Sequence, residues 1–129
     1  MILVDSSVFI ALADTSDQWH AQALGLLPRM KRETIIVSDL IIAEVLTVIG
    51  KRCGGKPVED LYHFFLDSCE IFPPGEEARD GAVRICIRFD GRLSLSDSLS
   101  VWIMEKNAIS CILSFDSDFD RVGTITRIF

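Results

Sequence analysis

The chain has 129 residues, 49% hydrophobic and 25% charged, which suits one folded domain with a substantial core and excludes a disordered chain. With 19 Asp+Glu against 13 Lys+Arg, the formal charge is -6, so binding of nucleic acid through overall positive charge is excluded. No apolar run approaches the roughly 18 residues of a membrane span, and Met1–Val4 leads into Asp5 with no basic leader, so neither a transmembrane helix nor a cleaved signal is expected.

In chain order, Met1–Val4 reads as a short buried strand ending at Asp5. Ser6 or Ser7 can cap a short helix through Val8–Leu12. Asp17 is expected to cap a second helix with Trp19, Ala23, Leu24, Leu27 and Met30 on its inner face. Thr34–Val37 is β-branched and predicts a second strand. Ser38 opens a helix to about Arg52, stopped by Gly54-Gly55. Pro57 lies in the first turn of the next helix, with Leu61, Phe64, Phe65 and Leu66 expected inside.

Glu70–Phe72 is a weaker strand signal, closed by Pro73-Pro74-Gly75. Glu76–Phe89 is predicted helical, with Ala78, Ala82, Ile85 and Phe89 on one side. Ser96 is expected to cap a helix from Asp97 to about Lys106. Cys111–Phe115 and Thr124–Phe129 close the chain as strands. Strands alternating with helices predict one α/β domain over residues 1–129 with a mostly parallel sheet.

Four acids stand where so apolar a chain should place other residues. Asp5 follows Ile2-Leu3-Val4, Glu44 interrupts Leu40–Leu46, Asp97 lies in Leu93–Leu99, and Asp116 follows Cys111–Phe115. An ionised carboxylate in apolar surroundings is costly unless hydrogen-bonded, paired or metal-bound. Asp5 and Asp116 fall at the carboxyl ends of predicted strands, where open α/β sheets place their ligand sites. Glu44 is expected on the inner face of its helix, between Ile41 and Val45. The wide separations rule out a local loop, so any shared site is assembled by the fold.

All-carboxylate oxygen donors suit Mg²⁺ or Mn²⁺ and offer little to zinc. Such clusters hold hydrated metals that activate water at a phosphodiester. Each acid also has an ordinary explanation: Asp5 as a helix cap, Asp97 at a positive helix end, and Asp116, Asp118 and Asp120 as a polar turn. Glu44 lacks one unless it faces solvent.

Other chemistries fit less well. Asp116, Asp118 and Asp120 mimic the start of an EF-hand loop, but Arg121 and Arg127 stand where that loop needs Gly and Glu. No lysine follows the late strand Cys111–Phe115, as a phosphoacceptor receiver would require. Ser7 occupies the place of the second acid of an aspartate phosphatase, and there is no phosphate loop. Cys53, Cys69, Cys86 and Cys111 form no CxxC pair and read as reduced, mostly buried thiols of a cytoplasmic protein. His20 and His63 have no spaced ligand partner. Arg84 and Arg88, one helical turn apart, are weak candidates for gripping phosphate with Arg92, although a solvated helix face explains them as well.

The segments Ile2–Leu12, Ser38–Leu46, Leu95–Ser100 and Ser114–Phe119, in this order and spanning essentially the whole chain, resemble the four acid-bearing segments of the PIN domain, the fold of VapC toxins. Asp17 and His20 are similar to a further family segment. The resemblance implies a three-layer α/β/α PIN-like fold. It also implies an Mg²⁺- or Mn²⁺-dependent endoribonuclease with Asp5, Glu44, Asp97 and Asp116 as metal ligands, Asp118 as an additional candidate, and Ser6 in support. For a free-standing domain of this size it implies the toxin of a VapBC pair: a cytoplasmic homodimer with RNA as substrate and a VapB-like antitoxin. The alternatives are an RNA-processing nuclease outside any toxin system and a non-catalytic RNA-binding or scaffold module.

Overall fold

A computed structural model describes all 129 residues. Its centre is β1 (Ile2–Val4), whose side chains are all fully buried. The sheet continues through β2 (Ile35–Ser38) to β3 (Cys69–Phe72) on one side, and through β4 (Cys111–Leu113) to β5 (Thr126–Ile128) on the other. Every pairing is parallel, with Ile2 beside Ile35, Leu3 beside Ile112 and Val4 beside Leu113. Uninterrupted apolar strands are what a parallel sheet covered on both faces requires.

The order β3-β2-β1-β4-β5 means that the chain first steps one way and then doubles back past β1. Right-handed crossovers put helices of the two directions on opposite faces. α1 (Ser6–Ala13), α2 (His20–Met30), α3 (Asp39–Cys53) and α4 (Gly55–Ser68) pack together on the outward leg, while α5 (Glu76–Arg88) and α6 (Leu95–Lys106) pair on the return. The result is a three-layer α/β/α sandwich. One contiguous cluster of 28 buried hydrophobic residues, from Ile2 to Val122, runs through it. Phe9 and Phe65, both almost fully buried, meet edge to face with ring centres 4.9 Å apart.

Several boundaries differ from the sequence expectation for identifiable reasons. α1 is capped by Asp5, whose carboxylate accepts from the Ser7 amide, rather than by Ser6 or Ser7. α2 begins at His20, and Asp17 instead folds the preceding turn by accepting from the Trp19 amide at 2.9 Å. α6 is capped by Ser94, three places before Asp97, and not by Ser96. β4 stops at Leu113 because the Phe115 amide turns away to the Ser7 hydroxyl, 3.0 Å away.

Three burial expectations are corrected. On α2, Leu24 is exposed and Leu26 is buried in its place, because the covered face runs through Ala23, Leu26 and Met30. On α4 only Phe65 is buried, and Phe64 and Leu66 are exposed. The helix lies against α3 and the edge strand β3, so only one narrow face is covered. The four cysteines are free thiols as expected, but Cys53 is exposed and the other three are half-buried. No helix is long and apolar enough to cross a membrane.

Candidate metal centre

The doubling back of the chain leaves β1 and β4 side by side with connections leaving in opposite directions. In open α/β sheets the crevice beyond the carboxyl ends of such strands is where ligands bind. Asp5 follows β1 directly and Asp116 lies three residues beyond β4. α3 starts where β2 ends, which brings Glu44, in its second turn, to the same edge. α6 runs back towards the start of β4, so its amino end, carrying Asp97, points to that edge too. All four acids, with Asp118 and Asp17, line one cleft of about 460 Å³.

Asp5 is the buried anchor. Its Oδ2 accepts from the Ser7 hydroxyl at 2.6 Å, the Ser114 hydroxyl at 2.9 Å and the Ser7 amide at 3.3 Å. Oδ1 receives only a long contact from the Ser6 hydroxyl at 3.4 Å. The Ser7 oxygen in turn accepts from the Phe115 amide, and the Ser114 oxygen from the Asp116 amide, each at 3.0 Å. Two hydroxyls thereby clamp the end of β1 to the end of β4 and leave Oδ1 with free lone pairs. Asp116 repeats the pattern: its Oδ1 caps the 3₁₀ helix Ser117–Arg121 by accepting from the Asp118 amide at 2.8 Å. Asp5 is thus the helix cap that its ordinary explanation made it, Asp116 caps the turn that follows it, and both residues line the cleft as well.

Asp97 shows the electrostatic consequence. Burial, and then the charges of Asp5, Asp116 and Glu44, raise its carboxyl from an ordinary value of 3.8 to about 7, against an opposing hydrogen bond with Ser94. A position in the first turn of a helix ordinarily favours the charged form; here desolvation and like charge outweigh that. Glu44 differs from expectation: it is exposed to the open cleft rather than buried on an inner helix face.

The donor set is entirely oxygen, with no cysteine or histidine lining the cleft, which fits a hard divalent cation. No three acids stand as a closed ligand set, so sharing one ion takes rotation of their side chains within the cleft. The only cation in the lining is Arg52, and it is committed to Asp14 at 3.3 Å and Asp17 at 3.0 Å. Asp14 is itself held below the usual carboxylate range, first by the hydroxyl and amide of Ser16 and then by Arg52.

Arg84 and Arg88 do not line the cleft; Arg88 pairs with Glu105 of α6 at 2.6 Å. Asp120 turns away to a two-bond pair with Arg127, both bonds at 2.8 Å. His20 places Nδ1 2.6 Å from the Ala11 carbonyl oxygen, tying α2 to α1. Sequence reasoning missed Ser7 and Ser114 as the main supports of Asp5. It also missed Trp19 as a lining residue, having placed that side chain in the core. A hydroxyl two residues from each strand-end acid, Ser7 after Asp5 and Ser114 before Asp116, was the available signal for the serines.

The sequence pattern of the PIN domain matches residues 2–125. No curated protein matches the chain in sequence. Among solved structures, the chain is similar to VapC20 of Mycobacterium tuberculosis, a toxin that cleaves the sarcin–ricin loop, at 24% identity over 95% of each chain with a TM-score of 0.84. It is also similar to VapBC2 of Rickettsia felis bound to a promoter DNA fragment (16% identity, 99% of this chain and 98% of that one, TM-score 0.68). A toxin–antitoxin complex of Klebsiella pneumoniae has 16% identity over 98% and 96% of the two chains, with a TM-score of 0.70. At these identities the likeness is one of fold.

Proposed function

Because the chain belongs to the PIN domain family, we propose that it is a Mg²⁺- or Mn²⁺-dependent endoribonuclease, the toxin of a VapBC-type pair. The observation that carries this reading is the meeting of Asp5, Glu44, Asp97 and Asp116, from four separate elements, in one cleft at the strand-switch edge. Burial first, and then their mutual repulsion, raises the Asp97 carboxyl, and a cation relieves the repulsion as little else in the lining can.

These four carboxylates, with Asp118 beside them, would hold the ion, which when bound lowers the pKa of water and stabilises charge on phosphate oxygens. The chain's own contribution is orientation. Ser7 and Ser114 fix the Asp5 carboxylate through Oδ2 and leave Oδ1 largely free, with a weaker bond from Ser6 to that oxygen. Asp116 is fixed by its own cap, and Glu44, on the open side, has the freedom to close over an ion. An antitoxin would inhibit by occupying this cleft, where a basic side chain would find the same carboxylates. A homodimer in the cytoplasm completes the reading.

The test is cleavage of total RNA by pure protein with Mn²⁺, beside Asp5→Asn and Asp97→Asn. The expected loss is at least about a hundredfold, the scale on which one positioned electrostatic group acts. Equal cleavage by wild type and both variants would falsify the assignment.

A further inference from the structure

Beside the acids, the cleft wall carries an indole. Trp19 stands in the turn between α1 and α2, lines the cleft and is 36% exposed. Its ring stacks on Phe115 with centres 5.2 Å apart and planes 4° from parallel. Phe115 is the residue between Ser114 and Asp116, and its amide is bonded to Ser7, so the stack is anchored to the same clamp that holds Asp5. The Trp19 amide is pinned by Asp17, which Arg52 holds in turn. The ring is therefore fixed before any ligand arrives.

We propose that Trp19 is a stacking platform for one unpaired nucleobase next to the scissile phosphate. This deepens the nuclease reading and rests on it. Two independent observations point to a base rather than to another partner. The first is the parallel Trp19–Phe115 stack, which a third planar ring extends at the same spacing. The second is charge: Arg52 is already paired, leaving the lining with carboxylates and no free cation for a phosphate. Beyond what a bound divalent ion supplies, no side chain of this wall offers charge to a phosphate, and a flat, uncharged group is what the exposed indole suits. Bases in a duplex are stacked on one another and cannot offer a face, whereas an unpaired base can.

The experiment uses the full chain with Ca²⁺, fluorescein-labelled oligouridylate of about ten nucleotides, the same-length abasic oligomer and a same-length RNA duplex. Binding is read by anisotropy, and oligomer integrity is checked on a gel. Wild type should bind oligouridylate in preference to the other two, and the protein's indole fluorescence should be quenched. Trp19→Ala and Trp19→Leu should lose about tenfold to a hundredfold in affinity, with the abasic oligomer bound equally by both variants and wild type. Trp19→Phe should retain binding while losing the quench. The platform is overturned if folded Trp19→Leu binds oligouridylate as wild type does, or if wild type binds the abasic oligomer equally well. If those results accompany Mn²⁺-dependent RNA cleavage, the platform alone falls; if wild type neither binds nor cleaves RNA, the nuclease reading falls with it.

Discussion

At the residue scale the informative quantity is the cost of holding Asp97 charged. Its carboxyl titrates near 7 in the folded chain, for reasons of burial first and neighbouring acids second, and near 3.8 when freely solvated. Between those values the folded protein keeps a proton that the unfolded chain has lost, so rising pH favours unfolding. The stabilising contribution is complete below about pH 4 and is gone above about pH 7. At about 1.4 kcal/mol per pH unit the full loss would be about 4 kcal/mol. Asp97 is only partly buried in an open cleft, and screening reduces the expected loss to about 1–2 kcal/mol. Urea denaturation in EDTA should thus give a lower midpoint at pH 8 than at pH 5, and Asp97→Asn should remove most of that difference. An unchanged pH dependence in the variant would show that Asp97 is not the group whose proton the fold retains. The same scale explains why Asp5 could be read from the sequence and its supports could not. An acid after Ile2-Leu3-Val4 is visible as an anomaly, whereas choosing Ser7 and Ser114 over Ser6 requires knowing which hydroxyls the β1–β4 junction turns inward. Glu44 misled in the opposite direction, because an apolar helix segment can border an open cleft as well as a core.

At the scale of elements, α5 and α6 form the tightest helix pair, and one glycine makes it so. A Cβ on Gly81 would lie 2.3 Å from the Trp102 indole, far inside contact distance. Trp102 cannot simply swing aside: Phe72 meets it edge-on at 5.6 Å, and Lys106 lies over its ring at 4.9 Å. Gly81→Ala gains about 1 kcal/mol in helix propensity, but overpacking against a held ring costs up to about 3 kcal/mol, so net destabilisation of up to about 2 kcal/mol is expected. A lower urea midpoint with unchanged slope is the signature. Gly81→Ala in a Trp102→Leu background should instead be neutral or stabilising, and destabilisation there as well would refute the wedge. Helix positions were legible because apolar spacing is local. Tightness at Gly81 was not, since it depends on a ring 21 places away in the sequence. The exposure of Phe64 and Leu66 was hidden for a related reason: a helical stripe shows which side is apolar, but not how much of it an edge strand covers.

For the whole molecule, alternation of strands and helices revealed the α/β class, yet the strand order that seats β4 beside β1 is a long-range choice no local pattern states. That order turns four scattered acids into one cleft in a chain already at -6, and it sets the terms for the proposed RNA substrate. Nearby cations are spent on neighbours: Arg52 on Asp14 and Asp17, Arg121 on Asp118 at 3.3 Å, and Arg127 on Asp120 at 2.8 Å. Arg127 is also nearly buried, at 9% side-chain exposure. Proteins that grip six to ten phosphates with free Lys and Arg lose about 10³–10⁵ in affinity between about 50 and 200 mM salt. With no unpaired cationic side chain in the cleft lining, at most one or two phosphate contacts are expected here. The corresponding loss over the same interval at fixed divalent ion is less than about tenfold. Oligouridylate titrations followed by anisotropy at several KCl concentrations measure the slope. A shallow slope that stays shallow in Trp19→Leu, while affinity drops, assigns the lost binding to stacking rather than charge. A steep slope in wild type would mean instead that RNA follows a basic track outside the cleft, formed by breaking these ion pairs or by a second copy of the chain.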